Sequence, residues 1–203
     1  DIPYDAEEIA SALEEQAYLN KGLTLEFIYK GEKRIFESKN GVASLVEKYC
    51  KAEKILSAPI VITGKSEKYD ILIDVAFNYV VSSEETVIAY TNNVLNPDGG
   101  KHVDGFKSAL TRVINRLAGQ KYNGAEIRNG LVAVVSVKMK ERPEFVGQTK
   151  GKLGTEVANP AVDTLVYAHL LENLSANSKL VKFIFAMFLQ IPVSKLHPEY
   201  PAL

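Results

Sequence analysis

The stretch Gly130–Leu153, GLVAVVSVKMKERPEFVGQTKGKL, decides how the rest of the chain is read. Leu131 to Val137 is a nearly continuous β-branched run, the pattern of a strand covered on both faces or nearly so. From Lys138 to Lys152 the chain turns polar, with five Lys or Arg against two Glu. Pro143 and Gly147 interrupt regular structure ahead of Gln148-Thr149-Lys150. An amide, a hydroxyl and an ammonium side by side at a loop tip suit recognition of a phosphate or another oxyanion. The same composition also describes a solvated basic loop.

Upstream of this stretch, the turn cluster VLNPDGG at Val94–Gly100 leads into a helix. There Val103, Phe106, Leu110, Val113, Ile114 and Leu117 fall close to one line at 100° per residue, which marks the buried face. Arg112 and Arg116 fall far from that line, with Lys107 at its flank. Tyr69, Ile71, Ile73, Val75, Phe77 and Tyr79 alternate with polar residues as a half-buried strand does, and Thr86–Asn92 and Ile60–Thr63 read as further strands. Leu23–Tyr29 and Arg34–Glu37 form a hairpin between a short amphipathic helix at Asp5–Leu19 and a second helix at Val42–Tyr49. Strands alternating with helices in this way predict an α/β domain of the two-layer, α+β kind, with a mixed or antiparallel sheet and helices on one face.

At 203 residues, 46% hydrophobic and 24% charged, the chain can bury one proper core. A net charge of -1 argues against indiscriminate coating of nucleic acid, so such contacts must come from local patches. One patch is Lys101–Lys121, with five bases and one Asp. Cys50 stands alone, which excludes a disulfide framework and fits a reducing cytoplasm. The start at Asp1 shows no secretory signal and reads as a cut inside a longer protein. The apolar run at 180–193 is too short to span a bilayer and is interrupted by Lys182 and Gln190.

No self-contained active site emerges from the motifs. Asp70 and Asp74 read as the polar outer face of a strand, with no third ligand nearby to make a metal site. Asn92-Asn93 read as a strand end feeding a turn. His102, His169 and His197 lack metal spacing and are not preceded by a nucleophile motif. A Walker A loop and a dinucleotide fingerprint are also missing, so a phosphate-seeking Lys150 would act on a nucleotide held by something else.

Three ordered motifs, TNNVLNPDGGKHVDGFKSALTRVIN, GLVAVVSVK and EFVGQTKGKL, together with LNKGL at Leu19–Leu23, resemble the second domain of the ATPase subunit of bacterial type IIA DNA topoisomerases, nearest to its gyrase B branch. The resemblance covers about residues 5 to 175. It implies a transducer domain, with a sheet-and-helix fold that includes a left-handed crossover, following an ATP-binding domain of the same polypeptide. It further implies that Gln148 and Lys150 reach the γ-phosphate of ATP, with ATP and Mg2+ held mainly by domains outside this chain. The partners implied are DNA, the N-terminal ATPase domain, a gyrase A-type subunit and, as a homodimer, a second copy of the gyrase B-type polypeptide. Arg112, Arg116 and Lys107 would face DNA. The chain alone would be an inactive piece of an ATP-hydrolysing isomerase in the cytoplasm, and no metal site is expected in it.

Two departures from the family accompany these expectations. Lys101 stands where the family usually has Thr, at the start of the long helix, and loss of a hydroxyl cap there is expected to cost about 1 kcal/mol. From about Asn177 the family continues as a charged helix, whereas this chain continues KLVKFIFAMFLQIPVSKLHPEYPAL, so residues 1–176 are taken as the domain and 177–203 as an atypical apolar tail, dispensable for the fold, that associates with other copies or packs back on the sheet. Other functional readings are a fragment of the corresponding polypeptide of topoisomerase IV and a nucleic-acid or protein binding module with no nucleotide role.

Overall fold

The computed structural model describes residues 5–50 and 58–191. The chain begins with helix α1 (Ala6–Leu19), whose first turn is capped by the Asp5 carboxylate accepting from the Glu7 and Glu8 amides at 2.9 and 3.2 Å. A hairpin of β1 (Thr24–Tyr29) and β2 (Glu32–Glu37) follows and forms a small sheet of its own, tied to α1 through the Arg34–Glu7 ion pair. Helix α2 (Val42–Tyr49) comes next.

The main sheet is built from β3 (Ile60–Ser66), β4 (Ile71–Tyr79), β5 (Thr86–Thr91), the two-residue β6 (Val94–Leu95) and β7 (Leu131–Met139), in the spatial order β3-β4-β7-β5-β6. The β-branched run is the centre of the sheet, as its composition predicts: β7 pairs antiparallel with β4 (Val75↔Val135, Phe77↔Ala133) and parallel with β5 (Ala89↔Val135). The parallel pair requires a crossover. It is made by helix α3 (Lys101–Ala118) and the single turn α4 (Gly124–Ile127), the latter opened by a reciprocal Asn123–Glu126 capping box.

Beyond β7 come α5 (Ala158–Ser175) and α6 (Ser178–Phe188). Together with α3 they cover the face of the sheet that carries Ile71, Ile73, Val75, Phe77, Leu131, Ala133, Val135 and Val137, all buried. Phe106 of α3 meets Phe77 of β4 with ring centroids 5.7 Å apart. Helices α3 and α5 pack closely at Gly105, where a Cβ would run into the Asn159 backbone carbonyl and stand 3.1 Å from the Asp163 amide nitrogen.

The mixed sheet with its helical layer is as expected, and the structure adds a second contact layer. On the opposite face, Val42, Leu45 and Val46 of α2 and Leu19 at the end of α1 bury Ala76, Val80, Tyr90, Val132 and Val134. The β7 run is therefore covered on both sides, which is why it alternates so little. The apolar segment after Asn177 does not stand apart. Phe183, Ile184, Met187 and Phe188 enter the same cluster as Phe77 and Phe106, and Phe185 and Phe188 meet Tyr122 at 6.0 and 5.4 Å. The core is thus continuous across residues 176 and 177, and at about 1.5–3 kcal/mol per buried large side chain α6 contributes to it substantially. Residues 192–203 lie outside the described residues.

Candidate functional site

The segment after β7 returns to the body of the domain through a small backbone ladder. Its middle strand is Gly151–Gly154. On one side the Asp98 amide donates to Gly151 O (2.9 Å), the Leu153 amide to Gly99 O (3.0 Å) and the Lys101 amide to Leu153 O (3.0 Å). On the other side the Val146 amide donates to Lys152 O (2.9 Å) and the Gly154 amide to Glu144 O (2.8 Å). The Leu153 side chain is fully buried beneath this ladder. Gly100 is required here: its φ is +141°, and a Cβ would strike the Leu153 backbone.

Beyond this ladder the tip Gly147-Gln148-Thr149-Lys150 stands exposed, beside an open concavity of about 870 Å³ lined also by Arg142, Pro143, Glu144 and Phe145. Gln148 and Lys150 are therefore brought together at one projecting point. Lys101 is the first residue of α3, after an N-cap Gly100 that makes no side-chain cap bond. Its amide donates to the Leu153 carbonyl and its ammonium pairs with Glu156 at 2.9 Å, so the ladder satisfies the first amide of the helix.

The base of the loop is also tied to α1. Lys138 Nζ donates to the last carbonyl of α1, Leu19 O (3.0 Å), and to Asn20 Oδ1 (2.8 Å), a cation placed where a helix C-terminus favours one. Asn92 exchanges two side-chain bonds with the Met139 backbone, at 2.8 and 3.1 Å, extending the β5–β7 pairing to the loop. The second residue of α3, His102, is fully buried, and neither ring nitrogen has a hydrogen-bond partner. Burial lowers its pKa from 6.5 to about 4.

The cations of α3 are engaged within the chain. Arg112 donates to Asp163 of α5 at 2.6 Å and its guanidinium lies 4.4 Å from the Tyr167 ring centroid, while Arg116 donates to the Tyr167 hydroxyl at 2.9 Å. Lys107 pairs with Glu85, which also accepts from Arg128 Nε at 2.8 Å; burial works against that carboxylate, yet the two cations hold its pKa below the usual range. The carboxylates and the hydroxyl on which these cations depend sit on other elements, so spacing within α3 does not reveal them. Lys150, in contrast, forms no ion pair among the described residues. Asp70 leaves the strand in a turn and pairs with Lys65 (2.7 Å) and Lys140 (3.5 Å), whereas Asp74 is half-buried in the sheet, its pKa raised by burial. Among the described residues no group of three or more His, Cys, Asp and Glu could hold a metal ion.

The DNA gyrase B family model matches residues 41–197. The chain belongs to the DNA gyrase B family. It is 35% identical over 200 residues to the DNA gyrase B protein of Thermotoga maritima, covering 90% of this chain and 31% of that protein. It is also 35% identical over 186 residues to the B-type polypeptide of DNA topoisomerase 4 from Bacillus subtilis, covering 86% and 28%. Among solved structures, the 43K ATPase domain of Thermus thermophilus gyrase B in complex with an aminocoumarin superposes with a TM-score of 0.83 at 32% identity, covering 94% of this chain and 54% of that one. The chain thus spans less than a third of the length of these two curated relatives.

For a gyrase B family chain, the motif residues Gln148 and Lys150 are legible, but the residues that hold them are not all so. Asn96, Asp98 and Leu153 lie within the quoted motifs, but their role as supports of the tip does not show in those motifs. The pairing of two turn-rich segments about fifty residues apart is the signal that points to them. His102 provides a test of burial at the base of this site. Because its folded pKa is depressed, the unfolded chain takes up the proton first as pH falls, so stability is full above about pH 6.5 and declines below it. Between pH 7.5 and 5 the expected loss is about 2 kcal/mol, the slope approaching about 1.36 kcal/mol per unit only below pH 6.5. Urea unfolding across that range checks it, and His102→Leu should remove this part of the slope.

Proposed function

We propose that this chain is a nucleotide-sensing transducer region of a gyrase B-type polypeptide of a type IIA topoisomerase, in which Gln148 and Lys150 contact the terminal phosphate of an ATP held by another domain. The observation that carries this reading is an exposed ammonium with no ion pair, among the described residues, at the tip of a loop whose base is bolted to the start of α3. An amide and an ammonium standing beside an open concavity suit a terminal phosphate. They do not make a complete nucleotide site, so the chain's own residues account for recognising one end of ATP and not for its hydrolysis. Mg2+, when bound, would neutralise phosphate charge from the domain that holds the nucleotide. Movement of the tip would be passed through the ladder to α3 and its partner α5.

The same proposal includes coupling to DNA strand passage with a gyrase A-type subunit, dimerisation of the gyrase B-type polypeptide, and a cytoplasmic setting. Phosphate contacts from Arg112, Arg116 and Lys107 would have to exchange with Asp163, Tyr167 and Glu85. For half-exposed Arg112 the exchange is feasible, since exposed ion pairs are worth about 0–1 kcal/mol. In the full-length enzyme, replacing Arg112 and Arg116 by Gln should lower the slope of log affinity for DNA against log salt by about two units. An unchanged slope would leave both arginines as links between α3 and α5.

The isolated chain should bind ATP no better than millimolar. Two charge-assisted contacts of about 1.5–3 kcal/mol each barely offset an association cost of at least about 4 kcal/mol. Micromolar binding in a calorimetric titration of this chain would contradict that. The decisive experiment is Lys150→Ala in the full-length protein. The side chain is exposed, so stability should stay within about 0.5 kcal/mol of the parent, while ATP turnover falls about ten- to a hundredfold. Unchanged turnover, or a large drop in melting temperature, would sink the reading.

A further inference from the structure

The tip is not simply a free end beyond the ladder. Asn96, which follows β6 in the NPDGG turn, is 1% exposed and uses its four polar groups. Its amide donates to Ala89 O at 2.8 Å, and its carbonyl accepts from the Gly99 amide at 2.9 Å. Its side-chain Oδ1 accepts from the Thr91 hydroxyl at 2.6 Å, and its Nδ2 donates to the backbone carbonyl of Lys150 at 2.7 Å. The orientation of this amide follows from chemistry. The Lys150 carbonyl is only an acceptor, so the NH2 group must face it, and the hydroxyl of fully buried Thr91 then meets the oxygen.

We infer that Asn96 is a positioning residue for the tip: by holding the peptide plane that follows Lys150 it sets the direction in which the Lys150 side chain leaves the loop, before any ligand arrives. This rests on the reading of Gln148 and Lys150 as contacts to a terminal phosphate. The bond joins residues 54 apart and is the last clamp before four exposed residues. Without it the nearest tether is the bond between the Asp98 amide and Gly151 O, and Lys150 regains backbone freedom that a ligand would have to remove on binding. Asn96 touches no substrate in this scheme. It acts through Lys150.

Asn96→Asp tests the idea, because it keeps the shape and the acceptor facing Thr91 while replacing the donor by an oxygen facing the Lys150 carbonyl. In the full-length protein, affinity for a non-hydrolysable ATP analogue and kcat/KM for ATP should each fall about tenfold, the scale of one lost hydrogen bond. ADP affinity should stay within about twofold, since ADP lacks the phosphate that the tip contacts. In a Lys150→Ala background the same substitution should add nothing, because the two act as one unit. Thr91→Val, which frees the amide to turn, should show the same discrimination more weakly and carries the comparison if Asn96→Asp does not fold. Equal losses for the ATP analogue and ADP, or no loss for the analogue, would overturn the inference while leaving the reading of Lys150 in place. If Lys150→Ala itself leaves analogue affinity unchanged, the terminal-phosphate reading fails and this inference falls with it.

Discussion

The backbone ladder that seats Gly151–Gly154 between Asp98–Lys101 and Glu144–Val146 is the constraint on which the rest of this structure depends. It joins a loop to the first residue of α3, one of the two 18-residue helices on the sheet, and it does so with main-chain groups, so few side-chain changes can loosen it. Within it Gly100 must be free of a side chain. Leu153, driven into the core, fixes the ladder from below, and the Lys101 amide donates to the same strand. A loop held this way can be exposed at its tip and still be mechanically continuous with the core.

The electrostatic pattern separates the tip lysine from the cations around α3. Arg112, Arg116, Lys107, Lys101 and Arg128 each have a partner supplied by another element, so their charges serve first to hold α3, α5 and the β4–β5 connection together. Such pairs are worth little individually at the surface, yet they fix which helix faces which. The tip lysine has no such partner among the described residues. An ammonium left without a carboxylate on a well-tethered loop is suited to an anion from outside.

Much of this architecture is legible in the chain. The β-branched run at Leu131–Val137 identifies the central strand, and the apolar line through Val103, Phe106 and Leu110 identifies the buried side of α3. What stays hidden depends on contacts between residues far apart in sequence. Helix α5 has apolar residues on most of its circumference, being covered by α3 and the sheet, and so shows little one-sided pattern. The segment after Asn177 reads as a tail because its phenylalanines cannot all face one way, but α6 sits where core and Tyr122 surround several of its sides. Asp163, opposite Arg112, lies 51 residues along the chain, beyond any spacing rule. In the candidate site contacts and supports alike lie in motifs, and it is the pairing of those motifs that belongs to the fold.

Gly105 gives α3 and α5 a separation too small for them to slide independently, so the pair is best regarded as one beam with its end fastened at the ladder. With 18 residues, α3 is about 27 Å long. A tilt of about 10° at the fastened end would carry the far end through about 5 Å, by the same rise per residue. That far end is where Arg116 lies, so a displacement too slight to disturb the loop would be felt there as a shift of one full side-chain row.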